Sequence, residues 1–458
     1  MSRRSLNVSL EVKLAKIREL NDWYDEFDKR FPAWYRKIRL RARKIYEELE
    51  RGGAPICRYG KDFDFTEYVP NLPPEREAIS SLRELDEVEQ RYVETIGMDV
   101  EEERRAGSHL QEDTTVVYSG FSDWARESLL PEHPDGVVVM NPDEAIMKFD
   151  WLREFVHRLV PIDLDKYTAL CTAYSIGGVF LWVKRGVKVK LPLQACFFMK
   201  AERLAQLPYI LVIVEPHARV DIISGCVMHP KCFTGVHGCI TEIYVGEGAQ
   251  VSFNIIHNFK RGYHVRPKVG VLVEEGATYV ENYISIGEPD SAQLYPTVIL
   301  RGRGSRAVLR SLFFGRGHSD MDIGAAIIYT GEKCRGQIIS RSVVLGEASV
   351  KMRGALKAYA PGARGHLECR ALLLSDKARA FAYPNLKSMY PDAMLTHEAA
   401  IGKIEDEQLY YLMSRGLSEE EAVALITRGF LSADIPELPP LLRAEIDRLI
   451  STTAKEAL

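Results

Sequence analysis

The first fifty residues alternate apolar and charged positions at the spacing of an amphipathic helix. Leucine and isoleucine recur every three or four residues from Leu10 to Leu20, and charged side chains fill the positions between them. The Phe31-Pro32 step interrupts this pattern, and a second charged, leucine-bearing stretch continues to about Glu50. The pattern therefore predicts two helices at the beginning of the chain.

The signals are mixed between the second helix and residue 165. Asn141-Pro142 has the composition of a helix N-cap that is followed by the first helical residue. Two further helices and two short strands are predicted here, over 75–97, 142–160, 114–118 and 137–140 in that order. We interpret residues 1–165 as a mostly helical N-terminal region.

From residue 166 to residue 396 the pattern changes to short apolar or alternating runs separated by Gly, Pro, Asp and Lys. Such runs predict strands, and the spaces between them leave no room for crossover helices. The strands are predicted at Gly178 to Val183, Tyr209 to Val214, Thr241 to Val245, Val251 to His257, Gly270 to Val273, Thr297 to Leu300, Ala325 to Tyr329, Gln337 to Leu345 and Arg370 to Leu374.

Small residues recur at the turns between these strands at a nearly constant interval. Five alanines and one cysteine follow a polar turn at steps of about 27 to 31 residues, namely Ala218, Ala249, Ala277, Ala307, Cys334 and Ala363. An interval of this size is typical of solenoids, in which each coil buries its inward residues on the next coil. The pattern favours a mainly β fold with a parallel β-helix core over 166–396, and an ordinary β-sandwich is the alternative.

The C-terminal residues 397–458 return to a helical pattern. A helix is predicted over 405–415, and Gly416 ends it. The segment that begins with Ser418 has the composition of a capping box, and Pro439 begins a third helix. Helices in this place are expected to cover one end of a solenoid or to dock a partner.

Composition and charge exclude several classes of protein. The chain is 46% hydrophobic and 27% charged with a formal net charge of −4, which favours neither nucleic acid nor an anionic membrane as a partner. The longest apolar runs are too short to cross a bilayer. Eight scattered cysteines do not form the dense framework of a disulfide-stapled secreted protein. We therefore expect a soluble, cytoplasmic protein.

One group of residues has the side chains that suit a soft or borderline metal ion. It is Cys226-x-x-His229-x-x-Cys232-x4-His237-x-Cys239, with three thiols and two imidazoles within fourteen residues. The spacing differs from that of zinc fingers because no Cys-x-x-Cys pair occurs. The alternative is that some of these side chains point into an apolar core and never meet.

A second group consists of Cys369 with His397 and Glu398, which follow the cysteine at a separation close to one repeat. Residues one coil apart in a β-helix lie about 4.8 Å apart on adjacent strands. A thiolate, an imidazole and a carboxylate could then converge on one metal ion. Single cysteines and histidines also occur as packing residues, so the spacing alone is a weak signal.

Standard catalytic motifs are absent from the sequence. It contains no G-x-x-x-x-G-K-[ST] phosphate loop, no G-x-S-x-G nucleophile elbow and no H-E-x-x-H zinc helix. The chain is therefore not expected to be an ATPase or a standard hydrolase.

The stretch from Thr396 to Leu417 closely resembles the C-terminal signature of the SufB/SufD family of iron–sulfur cluster assembly proteins. Phe180 to Val187, followed by Leu191 to Gln194, is similar to a second family segment. The resemblance spans about 167–434. It implies a right-handed parallel β-helix between helical terminal regions. It also implies a non-enzymatic scaffold that accepts sulfur and iron, assembles a transient iron–sulfur cluster and passes it to other proteins.

The resemblance implies three kinds of partner. The ABC-type ATPase SufC would dock on 405–434, where the contact residues would be Glu405, Gln408, Leu409, Leu412, Arg415 and Phe430. A second β-helix would pair with this one, either in a homodimer or with a SufD-like chain. A cysteine desulfurase or a sulfur shuttle would supply persulfide sulfur.

The resemblance also implies roles for individual residues. Cys226 matches the family cysteine that accepts sulfur, and the ligands of the cluster metal would be Cys369, His397 and Glu398. A sulfur-transfer path would include His237, His257 and Lys268, although His257-Asn258-Phe259 differs at two positions from the family's Gln-Asn-Trp segment. Since the chain has both the cysteine and the His-Glu pair, it is more similar to SufB than to SufD.

Two alternatives belong to other classes. One is a β-helix enzyme that acts on polysaccharide or acyl groups, which predicts a carboxylate-lined groove. The other is a protein with a structural zinc site between Cys226 and Cys239, which predicts stoichiometric zinc and no iron.

Overall fold

The body of the molecule consists of two long sheets between which the chain passes back and forth, as seen in the computed structural model. The structure describes residues 3–52, 62–70, 79, 81–96, 107–120, 130, 135–432 and 440–457. Strands account for 43% of residues and helices for 27%, and the strands form a β-solenoid of about eight turns. The prediction of a mainly β fold with a β-helix core is confirmed, and the β-sandwich alternative is wrong.

The first sheet contains ten strands, in the order β2-β1-β5-β8-β10-β12-β15-β17-β19-β21. All neighbours are parallel except the β1–β2 hairpin at one end. Its strands are β1 (Gly107–Glu112), β2 (Thr115–Gly120), β5 (Leu193–Met199), β8 (Arg219–Met228), β10 (Gln250–Asn258), β12 (Thr278–Ser285), β15 (Arg306–Gly315), β17 (Arg335–Val344), β19 (Arg364–Leu373) and β21 (Met394–Lys403).

The second sheet contains eleven strands and faces the first across the solenoid interior. Its main path runs β20-β18-β16-β13-β11-β9-β7-β4-β3, with β14 and β6 attached beside it. The strands are β3 (Val137–Met140), β4 (Gly178–Val183), β6 (Leu204–Gln206), β7 (Tyr209–Val214), β9 (Gly235–Val245), β11 (Tyr263–Val273), β13 (Ser291–Leu294), β14 (Thr297–Leu300), β16 (Asp320–Tyr329), β18 (Ser349–Ala358) and β20 (Arg379–Ser388).

Small residues line one corner of the solenoid immediately before the strands of the first sheet. They are Ala218, Ala249, Ala277, Ser305, Cys334 and Ala363, and the strand residues that follow them are register partners. The prediction of Ala307 at this corner was wrong, because Ala307 pairs with Gly336 inside the sheet. Ser305 fits instead because its hydroxyl donates to the Gly302 carbonyl at 2.7 Å, so a small polar side chain is satisfied there.

N-terminal helices cover the outer face of the second sheet. They are α1 (Arg3–Asp28), α2 (Ala33–Arg51), α4 (Pro142–Lys148) and α5 (Lys166–Tyr174). The helix predicted over 142–160 is shorter in the structure, because Phe149 adopts an extended conformation and a 3-10 turn, Asp150–Glu154, follows it. The strand β1 was not predicted at all.

The outer face of the first sheet is covered by α3 (Glu87–Thr95), α7 (Glu419–Ser432) and α8 (Pro440–Ala457). The helix predicted over 75–97 corresponds to α3, which Asp86 caps, whereas 75–78, 80 and 97 of the predicted range lie outside the described residues. The shorter α6 (Asp406–Ser414) follows β21. The strand β21 extends past residue 396, where the boundary between the β-helix core and the C-terminal helical region was predicted. The capping box at Ser418 is confirmed, since the Glu421 amide donates to its hydroxyl at 3.2 Å.

Within the described ranges, no helix combines the length and the apolar composition that a membrane span requires.

Candidate functional site

Three side chains of the types that ligate metal ions meet inside the β-helix near its N-terminal end. Cys226 lies on β8, His237 on β9 and His257 on β10, and one ligand atom from each lies within 4.8 Å of the other two. Register places His257 directly opposite Cys226 on the neighbouring coil. His237 reaches the same point from the opposite sheet, and its ring centroid lies 5.5 Å from that of His257. We refer to these three residues as the interior triad.

The interior triad is enclosed by protein and surrounded by aromatic rings. Each of its side chains is at most 3% exposed, and the Phe259 ring stacks on His237 with centroids 5.3 Å apart. Burial, and then the neighbouring thiols of Cys239 and Cys196, raise the pKa of Cys226 well above its usual value. Burial lowers the pKa of His237 to about 3, so its imidazole is neutral at physiological pH.

The five-residue motif predicted from 226–239 does not assemble as one site. His229 is half-buried, and its Nδ1 accepts from the Lys231 amide. The Cys232 thiol donates to the Lys200 carbonyl at 2.7 Å, and the Cys239 thiol lies 3.5 Å from the Thr241 hydroxyl. Of the motif, Cys226 and His237 belong to the interior triad. Cys239 lies on the same inward face of β9 as His237 and near Cys226, but outside the triad.

Cys369 lies on the inward face of β19, about five coils from Cys226. Its side chain has no exposed surface and forms part of the interior core with Leu367 and Ala371. Burial, and then the charge of Glu368, raise the pKa of the Cys369 thiol to about 12. The thiol is therefore protonated at neutral pH, and a metal ion that binds it must displace this proton.

His397 and Glu398 lie on β21, the last strand of the first sheet, where both are exposed. Ala399 is the register partner of Cys369. Because alternate residues of a strand point to opposite faces, His397 shares the inward face with Cys369, and Glu398 points outward. The carboxylate of Glu398 accepts from Arg370 Nη2 at 2.6 Å.

The expected convergence of Cys369, His397 and Glu398 is therefore incomplete within one chain. The coil that joins β19 to β21 is longer by a single residue than the coil before it, since Arg364 pairs with Arg335 on one side and with Met394 on the other. The extra residue places Ala399 opposite the thiol. Glu398 consequently lies on the other face of the sheet.

Lys268 does not face the interior. It lies on the outer face of β11, where its ammonium group donates to Asp165 at 2.5 Å and to Gln293 at 3.2 Å. Asp165 also caps α5, so this ion pair ties the helix to the sheet.

A line of inward polar side chains connects the interior triad with Cys369 along the first sheet. It consists of His257, Tyr283, Ser311, Ser340 and Cys369, and we refer to it as the polar column. From Tyr283 onward these residues are direct register partners on successive strands. The Tyr283 hydroxyl lies 3.3 Å from His257 Nδ1, and the Ser311 hydroxyl donates to that of Ser340 at 2.9 Å. The five steps between adjacent strands that lead from β8 to β19 correspond to about 24 Å.

The residues predicted to contact an ATPase lie on and beside α6 and on α7. Glu405, Gln408 and Arg415 are exposed, whereas Leu409 and Leu412 are half-buried. Phe430 differs because Arg341 of β17 lies over its ring at 5.6 Å and donates to its carbonyl at 3.3 Å. Phe430 therefore links α7 to the β-helix.

Two buried polar residues near the site were not predicted. Gln206 lies beside His237 in the register of β6 and β9, and Glu281 points inward from β12. The alternation Tyr279-x-Glu281-x-Tyr283 would have indicated an inward polar face once the strand was recognised. Glu281 accepts from the Tyr279 hydroxyl at 2.6 Å, and burial raises its pKa to about 7.

Comparison with known proteins connects this architecture with cluster assembly. The family model described as the SufBD core domain of SUF system FeS cluster assembly matches residues 197–430. An iron–sulfur cluster assembly SufBD family protein from Methanothermobacter thermautotrophicus is 34% identical over 417 residues, which cover 90% of this chain and 99% of that protein. A SufBD family protein from Archaeoglobus fulgidus is 34% identical over 372 residues, or 81% and 96%. The iron–sulfur cluster assembly protein SufB of Bacillus subtilis is 30% identical over 426 residues, or 92% and 89%.

Proposed function

Because the chain belongs to the SufB/SufD family of iron–sulfur cluster assembly proteins, we propose that it is a SufB-like scaffold on which a cluster is built and from which it is passed on. In this role sulfane sulfur enters at Cys226, an external two-electron donor reduces it to sulfide, and sulfide and iron combine at Cys369. The chain itself hydrolyses no ATP, and SufC supplies that activity.

The polar column is the observation that carries this proposal. It joins the two cysteines through hydroxyl and imidazole groups on consecutive strands, with no exposed residue needed between them. Hydrogen bonds between His257 and Tyr283 and between Ser311 and Ser340 satisfy polar groups along this column. Its course matches what a sulfur-transfer path requires.

Sulfur acceptance at Cys226 is a thiol exchange. The Cys226 thiolate attacks the outer sulfur of a donor persulfide, the donor S–S bond breaks, and the donor cysteine leaves as a thiolate. Because burial opposes the thiolate of Cys226, the reaction requires the β-helix to open at this end or a base to take the proton. His257, directly opposite on the next coil, is a weak base because burial holds its pKa well below the usual value, so opening of the β-helix is the favoured route.

Cluster assembly at Cys369 would use the exposed last coil of the solenoid. Large apolar side chains remain exposed on β20, β21 and the turn between them: Phe381, Tyr383, Leu386, Met389, Tyr390, Met394 and Ile401. Exposed apolar surface of this kind marks an interaction site. We propose that a second copy or a SufD-like chain covers it. The partner chain would then contribute ligands beside His397 and Glu398.

ATPase docking on α6 would act on this region through the Phe430–Arg341 link. Arg341 also donates to Glu368 at 2.9 Å, and Glu368 directly precedes Cys369. A shift of α7 on docking would therefore reach the strand that holds the cluster cysteine. This connection supports SufC as the partner that drives release or rearrangement of the cluster.

The test of the scaffold function is anaerobic reconstitution with ferrous iron and sulfide, followed by visible absorption. Cys369→Ser should lose the cluster bands while the far-UV circular dichroism remains that of the parent chain. Cys334→Ser is the matched control, because it removes another buried thiol from the same solenoid, and it should retain the bands. Normal bands in Cys369→Ser would refute the assignment of Cys369.

The pairing of two β-helices has a separate test. Met394→Glu and Ile401→Glu place charge on the exposed coil, whereas Phe233→Glu places it on an exposed turn elsewhere. Light scattering should show the first two variants as monomers and Phe233→Glu in the parent's oligomeric state. An unchanged mass for all three variants would contradict pairing through the last coil.

The enzyme alternative has less support. A groove of about 510 Å³ lies on the outer face of the first sheet, but its lining includes a single carboxylate, that of Asp221. Amide and hydroxyl side chains form most of the polar lining, among them Gln250, Asn254 and Asn282. This lining does not provide the pair of carboxylates that glycosidic bond cleavage uses.

A further inference from the structure

The interior triad has the composition and arrangement of a metal-binding site. One thiol and two imidazoles form a donor set that suits borderline ions such as Zn²⁺, Fe²⁺ and Co²⁺. In a tetrahedral site with bonds of about 2.0 to 2.3 Å, neighbouring ligand atoms lie roughly 3.3 to 3.6 Å apart. The triad's ligand atoms lie within 4.8 Å of one another. Small side-chain rotations close this difference.

Hydrogen bonds orient His237 for ligation. The amide Nε2 of Gln206 donates to the Asp113 carbonyl at 2.9 Å, so its Oε1 is directed at His237 Nδ1, 3.1 Å away. An oxygen acceptor at this place requires the proton of the neutral imidazole to be on Nδ1. The Nε2 atom then carries the lone pair, which is the arrangement found in metal-ligating histidines.

His257 is held in a similar way. Its Nδ1 lies 3.3 Å from the Tyr283 hydroxyl. Among the hydrogen bonds of the described residues, none engages Nε2 of either histidine. Both rings therefore have one nitrogen fixed by a neighbour and one nitrogen available inside the triad.

We propose that Cys226, His237 and His257 bind a single divalent transition-metal ion, Zn²⁺ or Fe²⁺, inside the β-helix. Binding displaces the thiol proton to solvent, so the thiolate cancels one of the ion's two charges and both imidazoles stay neutral. Three protein ligands leave a fourth position, which water or an incoming sulfur atom fills. The metal site does not rest on the scaffold function, because it needs only these three side chains and their supports.

Occupation of this site has a consequence for Cys226. A bound metal ion keeps the Cys226 sulfur deprotonated, and the thiolate is its nucleophilic form. Without the ion, burial favours the protonated thiol. Access is limited, since the triad is enclosed, so the ion exchanges slowly and is best introduced during synthesis of the protein.

The experiment uses Co²⁺ as the probe. The full chain is purified from cells grown in medium supplemented with Co²⁺, and metal content and absorption are measured. We expect one cobalt ion per chain, a near-ultraviolet thiolate-to-cobalt band and visible bands of tetrahedral cobalt. Chains from cells grown with added Zn²⁺, and chains from cells grown anaerobically with added Fe²⁺, are analysed for metal in the same way to distinguish the two natural candidates.

The variants decide the outcome. Cys226→Ser should lose the near-ultraviolet band, and His237→Gln and His257→Gln should lower cobalt content by about tenfold or more. Cys334→Ser should match the parent, and so should Cys369→Ser, which separates this site from the proposed cluster site. Circular dichroism confirms that each variant is folded. A folded parent chain without the bands, or bands that persist in Cys226→Ser, would overturn the proposal.

Discussion

Glu281 gives a direct test of the electrostatics inside the β-helix. It points inward from β12, and its register partners on the adjacent coils are Phe253 and Leu309, so its carboxyl group lies among apolar side chains. Burial raises its pKa to about 7, and the hydrogen bond from Tyr279 opposes this change. The folded chain therefore holds a proton on Glu281 that the unfolded chain releases at about pH 4.5.

The sign and size of the pH effect follow from this difference. Below about pH 4.5 both states hold the proton, and the stabilisation from the raised pKa is fully present. Between about pH 4.5 and 7 only the folded state holds it, so stability falls by about 1.4 kcal/mol per pH unit. The loss totals about 3 kcal/mol and is complete above the folded pKa of about 7.

The assay compares Glu281→Gln with the parent chain in urea denaturation at pH 5 and pH 8. Glutamine has no proton to lose, so the variant should gain about 2.5 kcal/mol relative to the parent on going from pH 5 to pH 8, the rest of the loss lying below pH 5. Tyr279→Phe removes the opposing hydrogen bond and should shift the transition to higher pH. Glu275→Gln, at an exposed corner, is the control. If the free energies of unfolding of the parent chain and of Glu281→Gln differ by the same amount at both pH values, the reasoning is refuted.

Three further predictions concern packing and access. Gly178→Ala should destabilise the chain by at least about 3 kcal/mol, because the added Cβ would lie 1.9 Å from the Tyr209 carbonyl oxygen at a φ of +113°. Its control is Gly402→Ala, which meets no atom within 4 Å. A soluble yield of Gly178→Ala equal to that of this control would contradict the clash. Arg341→Gln should raise hydrogen exchange in α7, since it removes the guanidinium that donates to the Phe430 carbonyl and lies over the Phe430 ring; unchanged exchange there would mean that α7 is held by other contacts. In a Cys57→Ser background, iodoacetamide at neutral pH should label none of the seven buried cysteines in the native chain and all seven after denaturation. Native labelling of Cys226 or Cys369 would show that the interior opens readily.

The architecture could be predicted from local patterns because a solenoid repeats them. Alanines at a nearly constant interval indicated coils, and the Ser418 capping box gave the start of α7. These signals depend on residues close in sequence, where turn geometry and hydrogen bonding act directly. The helix predicted to reach residue 160 was wrong because periodicity does not reveal the extended residue at Phe149.

The site could be predicted only in part because coil lengths vary. The coil from β19 to β21 is longer by a single residue than the coil from β17 to β19, and that residue decides whether Glu398 or Ala399 lies opposite Cys369. The interior triad combines strands of two sheets, and its members were assigned to different roles from sequence. Such contacts depend on register and on the distance across the interior, which composition does not determine.

The last coil of the solenoid also affects how the chain must be handled in the cell. β20 and β21 each lie at the end of a sheet, so each has one row of peptide N–H and C=O groups without a neighbouring strand among the described residues of this chain. Further copies of the chain can add their own strands to an exposed apolar edge of this kind, and repeated addition leads to aggregation. The pairing proposed above would cover these edges, so a chain that pairs as soon as it is made would be protected from aggregation.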